Sequence, residues 1–202
     1  MGTREFFNSM ADKWDEKNRY ETDKIELMLN LLYIKNGDKT LDVGTGTGVL
    51  LPLLLQKTGG EYITAIDIAE KMIKKAKQKF PNSAIHFVAA DVMEYPFDNG
   101  SFDHIICYSV FPHLREKSAA IARFAAALKP GGLLSVLHSA SKEKINGVHI
   151  HAHSLEINSD YLLPAGEYIP LLHKNGLREE IVIDNEEMFM LCGRRQWQRQ
   201  GI

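Results

Sequence analysis

Three glycines at alternate positions, Gly44, Gly46 and Gly48, follow directly on the short apolar run at 40–43. A residue without Cβ adopts positive φ at little cost and lets a ligand approach the backbone closely. An apolar segment with helical spacing follows the third glycine. A strand that ends in such a loop and leads into a helix directs free N–H groups and the positive end of a helix dipole at its ligand. The loop therefore predicts a strand–loop–helix unit that binds a nucleotide-type cofactor.

Short apolar runs typical of strands alternate with amphipathic segments typical of helices along most of the chain. The predicted strands lie at 40–43, 62–67, 85–89, 102–108, 133–138, 178–183 and 187–194. The predicted helices lie at 23–35, 48–57, 69–80, 116–128 and 164–175. Strands separated by helices of about ten residues form βαβ units, so we expect an α/β fold with a doubly wound, mostly parallel sheet. The last two strands are predicted to form a hairpin that closes this sheet.

The composition disfavours several classes of protein. The chain has 202 residues, 45% of them hydrophobic, and is predicted to form a single domain with a sizeable core. Its net charge of −2 gives no electrostatic reason to expect nucleic acid as a partner. No apolar run approaches the roughly 18 residues that a membrane span requires, and we recognise no signal peptide. Cys107 and Cys192 lie in apolar runs without metal or redox spacing, so we expect buried thiols and a cytoplasmic protein.

The spacing and charge of the glycine loop discriminate between two classes of cofactor. The dinucleotide fingerprint G-x-G-x-x-G requires its third glycine where this chain has Val49. Asp42 lies two residues before Gly44, and a carboxylate there repels a pyrophosphate but attracts a cation. S-adenosylmethionine (SAM) carries a sulfonium and an ammonium and no phosphate. The loop therefore favours SAM, and an NAD-dependent oxidoreductase is the least favoured alternative.

Four motifs follow one another along the chain: the glycine loop at 41–48, a strand ending in an acid at 64–67, an acid after the next strand at 90–92, and the region 102–114 followed by Leu-Lys-Pro-Gly-Gly at 128–132. In this order they resemble the motifs of class I SAM-dependent methyltransferases, of the group that includes the ubiquinone and menaquinone C-methyltransferases. The resemblance covers roughly residues 1–138. It implies a Rossmann-like sheet of seven strands with an antiparallel last strand, SAM as cofactor, and methyl transfer as the reaction.

Two segments outside the motifs are predicted to build the acceptor side. Residues 7–15 resemble the lid segment of the quinone-type members, so residues 1–22 are expected to form an N-terminal lid. Residues 139–163 are polar and rich in histidine, show no clear period, and are expected to form an acceptor-side cap. We expect a small-molecule acceptor. The acceptor atom, the oligomeric state and the pathway stay open.

The resemblance implies cofactor-binding roles for three acids. Asp67 would accept from both ribose hydroxyls, Asp91 from the adenine amino group, and Asp42 would attract the methionine ammonium. The alternatives are a helix N-cap or surface acid for Asp67, an ordinary loop acid for Asp91, and a structural acid bonded to loop N–H groups for Asp42. Ala69 stands where the family often has a capping Ser or Thr. The other predicted cofactor contacts are Gly44, Thr45, Gly46, Gly48, Ile68, Met72, Val92 and Tyr108.

Catalytic candidates follow the fourth predicted strand. Tyr108 and Ser109 end that strand, where the sulfonium should lie, and either contact the methionine portion or substrate or serve packing. His113 resembles a position that the family commonly fills with His, which would line the active site or act as a base. Support of neighbouring groups is the alternative for His113. We therefore name Tyr108 and His113 as the predicted catalytic residues.

The acceptor side contains an unusual histidine triplet. Phe7 and Trp14 from the lid and His149 and His151 from the cap are predicted to contact substrate. In an extended chain the imidazoles of His149, His151 and His153 would share one face, and three such nitrogens suit a divalent metal such as zinc, iron or nickel. A polar cap without a metal is the favoured alternative, because the spacing matches no known site.

These observations leave three functions open. Methyl transfer from SAM to a small molecule is the favoured one. A metal-assisted methyltransferase that uses the histidine triplet, and a non-catalytic regulator that binds SAM or a nucleoside, are the alternatives.

Overall fold

The computed structural model describes residues 2–18, 20–81, 83–153 and 161–197, with the backbone alone described at 149–153. One sheet of seven strands lies within these residues. Its strands are β1 (Thr40–Val43), β2 (Ile63–Asp67), β3 (His86–Ala89), β4 (Phe102–Tyr108), β5 (Leu128–His138), β6 (Leu177–Asp184) and β7 (Phe189–Arg195). Every strand that the sequence predicts is present.

The sheet has the strand order β3-β2-β1-β4-β5-β7-β6. Parallel pairs join β1 to β2 and to β4, β2 to β3, and β4 to β5, whereas β7 runs antiparallel between β5 and β6. This order confirms the predicted α/β fold, in which a mostly parallel, doubly wound sheet is closed by an antiparallel hairpin. The direction of winding reverses between β1 and β4. Sheets of this kind bind ligands at the carboxyl ends of the strands beside such a switch point.

The helices of the described residues lie between and before the strands. They are α1 (Thr3–Met10), α2 (Trp14–Lys17), α3 (Thr22–Leu31), α4 (Leu51–Thr58), α5 (Glu70–Lys79), α6 (Lys117–Ala127), α7 (Lys142–His153) and α8 (Ala165–Lys174), with 3₁₀ turns at Ala11–Lys13 and Phe111–His113. Pro52 lies in the first turn of α4, where its missing N–H costs no helical hydrogen bond. Within the described ranges, none of these helices combines the length and the apolar composition that crossing a membrane requires.

The alternation of side chains along β4 shows how the sheet is buried on both faces. Ile105 and Cys107 belong to one core cluster, together with residues of α6 and α8. Ile106 and Tyr108 belong to a second cluster, together with residues of α3 and α4. Because successive side chains of a strand point to opposite faces, the two clusters cover the two sides of the sheet. The thiols of Cys107 and Cys192 are both buried in this core, as predicted.

The sequence analysis predicts no helix within residues 1–22, where the structure has α1 and α2, and two later segments also differ from it. β5 begins at Leu128, directly after α6, so residues 129–132 lie within the strand instead of separating it from the helix. Gly132 is needed there, because a Cβ would lie 3.0 Å from the carbonyl oxygens of Lys129 and Phe102. Residues 142–153, which show no clear period in the sequence, form α7. The helix was not predicted because the segment is polar and contains a glycine, so no apolar stripe at helical spacing reveals it.

Candidate functional site

The three glycines after β1 all adopt positive φ, but they serve different purposes. Gly44 has φ 67°, Gly46 has φ 56° and Gly48 has φ 92°. A Cβ on Gly44 would lie 2.4 Å from Cγ2 of Val110, and one on Gly48 would lie 2.8 Å from Cδ1 of Leu51. The nearest group to a Cβ on Gly46 would be Nε1 of Trp14, at 3.8 Å. Packing within the protein therefore requires Gly44 and Gly48, whereas Gly46 leaves space above the loop that a ligand can approach.

The amides of this loop are used within the protein. The N–H groups of Gly44 and Thr45 both donate to the carbonyl oxygen of Ile66, at 2.8 and 3.0 Å. Gly48 donates to the carbonyl oxygen of Thr45, and Gly46 donates to Oδ2 of Asp67 at 2.9 Å. The expectation of free N–H groups is therefore wrong at these four positions. The loop folds back on β2, so its amides hold the sheet edge together.

Asp67 ends β2 and is almost fully buried. Its two carboxylate oxygens accept hydrogen bonds from different amides, Oδ2 from Gly46 and Oδ1 from Ala69 at 2.8 Å. Burial raises the pKa of Asp67 to about 6, although both hydrogen bonds favour the charged form. Each oxygen keeps a further lone pair. The group can therefore accept two vicinal hydroxyls while it also fixes the amide of Ala69, the residue before α5.

Asp42 lies within β1 and is fully enclosed. Its Oδ2 accepts a hydrogen bond from Oγ1 of Thr45 at 2.6 Å. Burial raises the pKa of Asp42 to about 7, and the nearby negative charge of Asp67 adds to the rise. Two buried acids at neighbouring strand ends favour a positively charged ligand, because such a ligand stabilises both carboxylates. The loop group that donates to Asp42 is a hydroxyl, whereas the structural alternative supposed loop N–H groups. The attraction of Asp42 for the methionine ammonium stays a prediction.

The other predicted cofactor contacts occupy the ends of β2 and β3. Asp91 lies two residues beyond β3 and is half-buried, and its Oδ1 accepts the amide hydrogen of Met93 at 2.8 Å. This bond fits the loop-acid alternative and leaves the second oxygen of Asp91 for a ligand. Ile68 is half-buried, whereas Met72 and Val92 are buried in core clusters. The contacts of all four residues with a cofactor stay predictions.

The N-terminal segment, defined here as residues 2–18, lies against α5 and the glycine loop. Asn8 donates to the carboxylate of Glu70 and accepts the amide hydrogen of Lys71. The carboxylate of Asp15 accepts from Oγ1 of Thr47 at 2.6 Å and pairs with Nζ of Lys79 at 2.6 Å. The segment thus occupies the place that a lid over this loop would take. Its function as a lid stays a prediction.

Aromatic residues of the N-terminal segment reach the turn after β4. The ring of Phe7 contacts the rings of Trp14 and His113 edge-on, with centroids 5.5 and 5.3 Å apart. Tyr108 ends β4, and its hydroxyl is 2.8 Å from Oγ of Ser139, the first residue of the predicted cap. Ser109 follows with φ 54°, an uncommon conformation for a residue with a side chain. The structure therefore brings three of the predicted acceptor-side residues together, Phe7, Trp14 and His113.

Two residues of this region were not predicted to contribute to the site. The hydroxyl oxygen of Tyr20 accepts from Nε1 of Trp14 at 2.9 Å. Nζ of Lys24 reaches the carbonyl oxygens of Ser139 at 3.3 Å and Glu187 at 3.1 Å, joining α3 to the end of β5 and to the hairpin turn. The only sequence signal for Tyr20 is an aromatic residue in a polar segment. Nothing local distinguishes Lys24 from other surface lysines.

The histidine triplet lies in α7 and not in extended chain. Successive residues of an α-helix are about 100° apart around its axis, so residues two apart do not share a face. The premise that placed His149, His151 and His153 on one side is therefore wrong. Their side chains lie outside the described part of the structure. Among the side chains that are described, no three of His, Cys, Asp or Glu are grouped to hold a metal.

Comparison with known proteins finds sequence relatives over about two thirds of the chain and similar folds over nearly all of it. Residues 41–136 match a family described as methyltransferase domain. An uncharacterized methyltransferase of Mycobacterium tuberculosis is 31% identical over 139 residues, which cover 69% of this chain and 67% of that protein. A ubiquinone/menaquinone biosynthesis C-methyltransferase of Campylobacter jejuni is 28% identical over 153 residues, which cover 69% of this chain and 64% of that protein. The crystal structure of magnesium protoporphyrin IX methyltransferase from Synechocystis with bound SAH superposes with a TM-score of 0.70 at 21% identity, covering 96% of this chain and 97% of the other.

Proposed function

The chain belongs to the methyltransferase domain family as a class I SAM-dependent methyltransferase, and from this premise we propose that it methylates a small molecule bound between the N-terminal segment and the end of β4. The observation that supports this most directly is the contact of Phe7 with Trp14 and His113, because it brings aromatic side chains of the N-terminal segment against the turn that follows β4. The names of two similar proteins, which refer to quinone biosynthesis and to a protoporphyrin, support an acceptor of this class.

The described residues suit SAM in charge and in hydrogen-bonding capacity. When bound, SAM supplies the methyl group and a sulfonium that leaves as a neutral thioether. We assign the ribose hydroxyls to Asp67, the adenine amino group to Asp91 and the ammonium to Asp42, as the family motifs imply. Buried carboxylates with raised pKa values become charged more readily beside a cation, so Asp42 and Asp67 favour this ligand over a pyrophosphate.

The acceptor-side residues align the acceptor and exclude water. Phe7 and Trp14 cover the site with apolar surface, and alignment of two reactants is worth about 7–11 kcal/mol of the barrier. His113 lies in the turn after β4 beside Phe7 and, in this proposal, takes the proton of an oxygen or activated-carbon nucleophile. Tyr108 faces the same edge with its hydroxyl bonded to Ser139. In this proposal, His113 and Tyr108 contact the acceptor or the methionine portion of SAM.

The ribose assignment is tested by isothermal titration of S-adenosylhomocysteine (SAH) into the wild type and Asp67→Ala. We expect a loss of at least tenfold in affinity, since two charge-assisted hydrogen bonds disappear. Asp98→Asn, a change at an exposed acid in the loop before β4, is the matched control. Equal affinities of the wild type and Asp67→Ala would discard the assignment.

The class of acceptor is tested with methyl-labelled SAM and a cell extract divided by molecular size. Label is expected in the small-molecule fraction. Transfer confined to the protein or nucleic-acid fraction would overturn the proposal. Because the family members are methyltransferases, the alternative of a non-catalytic regulator is not favoured, and the described residues lend no support to a metal-assisted reaction.

A further inference from the structure

Tyr20 lies between α2 and α3 and is half-buried. Its hydroxyl oxygen accepts a hydrogen bond from Nε1 of Trp14 at 2.9 Å. Because an indole nitrogen only donates, this bond uses a lone pair of Tyr20 and leaves the phenolic proton uncommitted. Among the described residues, no acceptor receives that proton. A sheltered hydroxyl that is fixed in place through its oxygen and still has a proton to donate is a ready donor for a ligand.

The surroundings of Tyr20 place it over the switch point of the sheet. Its partner Trp14 lies above Gly46, at 3.8 Å from the position of a Cβ on that residue. The ring of Tyr20 packs against the core cluster that contains Tyr108, at the end of β4. Asp67 and Asp91, assigned to the adenosine portion, follow β2 and β3 on the other side of β1. Tyr20 therefore lies near the glycine loop and the end of β4, across β1 from the acids that we assign to the adenosine portion.

A carboxylate in that position needs a hydrogen-bond donor. The buried acids Asp42 and Asp67 repel it, and the amides of Gly44, Thr45, Gly46 and Gly48 already donate to protein oxygens. Burial raises the pKa of Tyr20 to about 12, and the nearby Asp15 and Tyr108 also favour the neutral phenol. Tyr20 therefore keeps its proton at every pH at which the protein would be assayed, and it acts as a donor and not as a base.

We propose that the hydroxyl of Tyr20, held by Trp14, donates a hydrogen bond to the carboxylate of the amino-acid portion of the bound cofactor. This inference rests on the proposed function, since it requires SAM or SAH at the glycine loop. It assigns to the turn between α2 and α3 a direct part in cofactor recognition. It also explains why a tryptophan, with its single N–H, stands beside the glycine loop.

The test compares SAH with its decarboxylated analogue, which keeps the adenosine, thioether and ammonium and lacks only the carboxylate. Dissociation constants of both compounds are measured by calorimetry for the wild type and Tyr20→Phe. In the wild type we expect the analogue to bind more weakly than SAH. In Tyr20→Phe the ratio of the two constants is expected to shrink about tenfold, because the variant no longer distinguishes the carboxylate. Tyr62→Phe, which removes a hydroxyl beside the amino end of β2, is the matched control and is expected to keep the wild-type ratio.

The outcomes separate this inference from the proposed function. Failure of the wild type to bind SAH would overturn the proposed function and this inference with it. If the wild type binds SAH and the ratio of the two dissociation constants is unchanged in Tyr20→Phe, only the role of Tyr20 is overturned. This holds also where both compounds lose the same amount of affinity. If Tyr20→Phe does not fold, Trp14→Phe is used instead, because it removes the N–H that fixes the phenol. The ratio of the two dissociation constants is expected to shrink in this variant as well. An unchanged ratio in Trp14→Phe would overturn the proposal.

Discussion

The carboxylate of Asp15 accepts a hydrogen bond from the hydroxyl of Thr47 at 2.6 Å, which ties the N-terminal segment to the glycine loop. The same carboxylate pairs with Lys79 near the end of α5. One side chain of the N-terminal segment thus contacts both the glycine loop and α5. Opening of the segment must break these contacts, so cofactor exchange and movement of the segment are expected to be coupled.

Thr47→Val is expected to speed SAH dissociation and to weaken its binding about threefold to tenfold. The substitution keeps the shape of the side chain but removes the bond to Asp15, so the closed position of the segment loses support. Dissociation rates by stopped-flow fluorescence check the prediction. The control is Thr40→Val at the start of β1, where the buried hydroxyl has no hydrogen-bond partner among the described residues. Identical dissociation rates in the two variants would contradict the coupling.

Gly44→Ala and Gly46→Ala are expected to fail in different ways, although both residues have positive φ. The new methyl of Gly44→Ala meets Val110 at 2.4 Å, so this variant should lose roughly 5–10 °C in Tm. Gly46→Ala meets only Trp14 at 3.8 Å, so it should fold with a smaller loss of about 1–2 kcal/mol. Its methyl intrudes on the space above the loop, and SAH affinity should fall more than tenfold. Thermal unfolding and calorimetry separate the two effects, and wild-type affinity in Gly46→Ala would show that the cofactor lies elsewhere.

Asp42→Asn is expected to stabilise the ligand-free protein at pH 8 by about 2–4 kcal/mol and to leave its stability unchanged near pH 4. The pKa of Asp42 is raised by burial from 3.8 to about 7. A raised pKa means that the folded state holds the proton more tightly than the unfolded state. The contribution of Asp42 is therefore most favourable below pH 4 and is lost as the pH rises through 7. Asparagine is neutral throughout and still accepts the hydrogen bond from Thr45.

The free energy of unfolding of Asp42→Asn and wild type, measured in urea between pH 4 and pH 8, checks this prediction. Asp98→Asn, at an exposed position, should follow the wild-type curve. A constant difference between Asp42→Asn and wild type across the pH range would show that packing, and not the proton, distinguishes them. SAH affinity of Asp42→Asn should nevertheless fall, since the ammonium loses its proposed partner.

Metal analysis of protein purified without a His tag is expected to find a stoichiometry near zero. Residues 149–153 are helical and not extended, so the extended-chain premise for a three-histidine site no longer holds. Supplementing cultures with zinc, iron or nickel should not change the result. A stoichiometry near one that His151→Ala abolishes would revive the metal-assisted alternative.

The sequence by itself determined the strands, most helices and the class of cofactor, because these follow from local patterns. Apolar runs bounded by Gly44 or by the acid Asp67 identify strand ends, and parallel strands place their carboxyl ends at one edge of the sheet. The charge of Asp42 and the glycine spacing then favoured SAM over a dinucleotide. The polar helix α7 escaped this reasoning, since helical periodicity is visible only where one face is apolar.

Only the tertiary structure decided how the site is closed and which groups remain able to bind. The loop amides turned out to donate to Ile66 and Asp67, about 20 residues further along the chain. The bond between Asp15 and Thr47, and the position of Tyr20 over the switch point, depend on how the N-terminal segment packs on α5. Hydrogen bonds between distant segments depend on geometry accurate to fractions of an ångström, and no residue pattern along the chain encodes such distances.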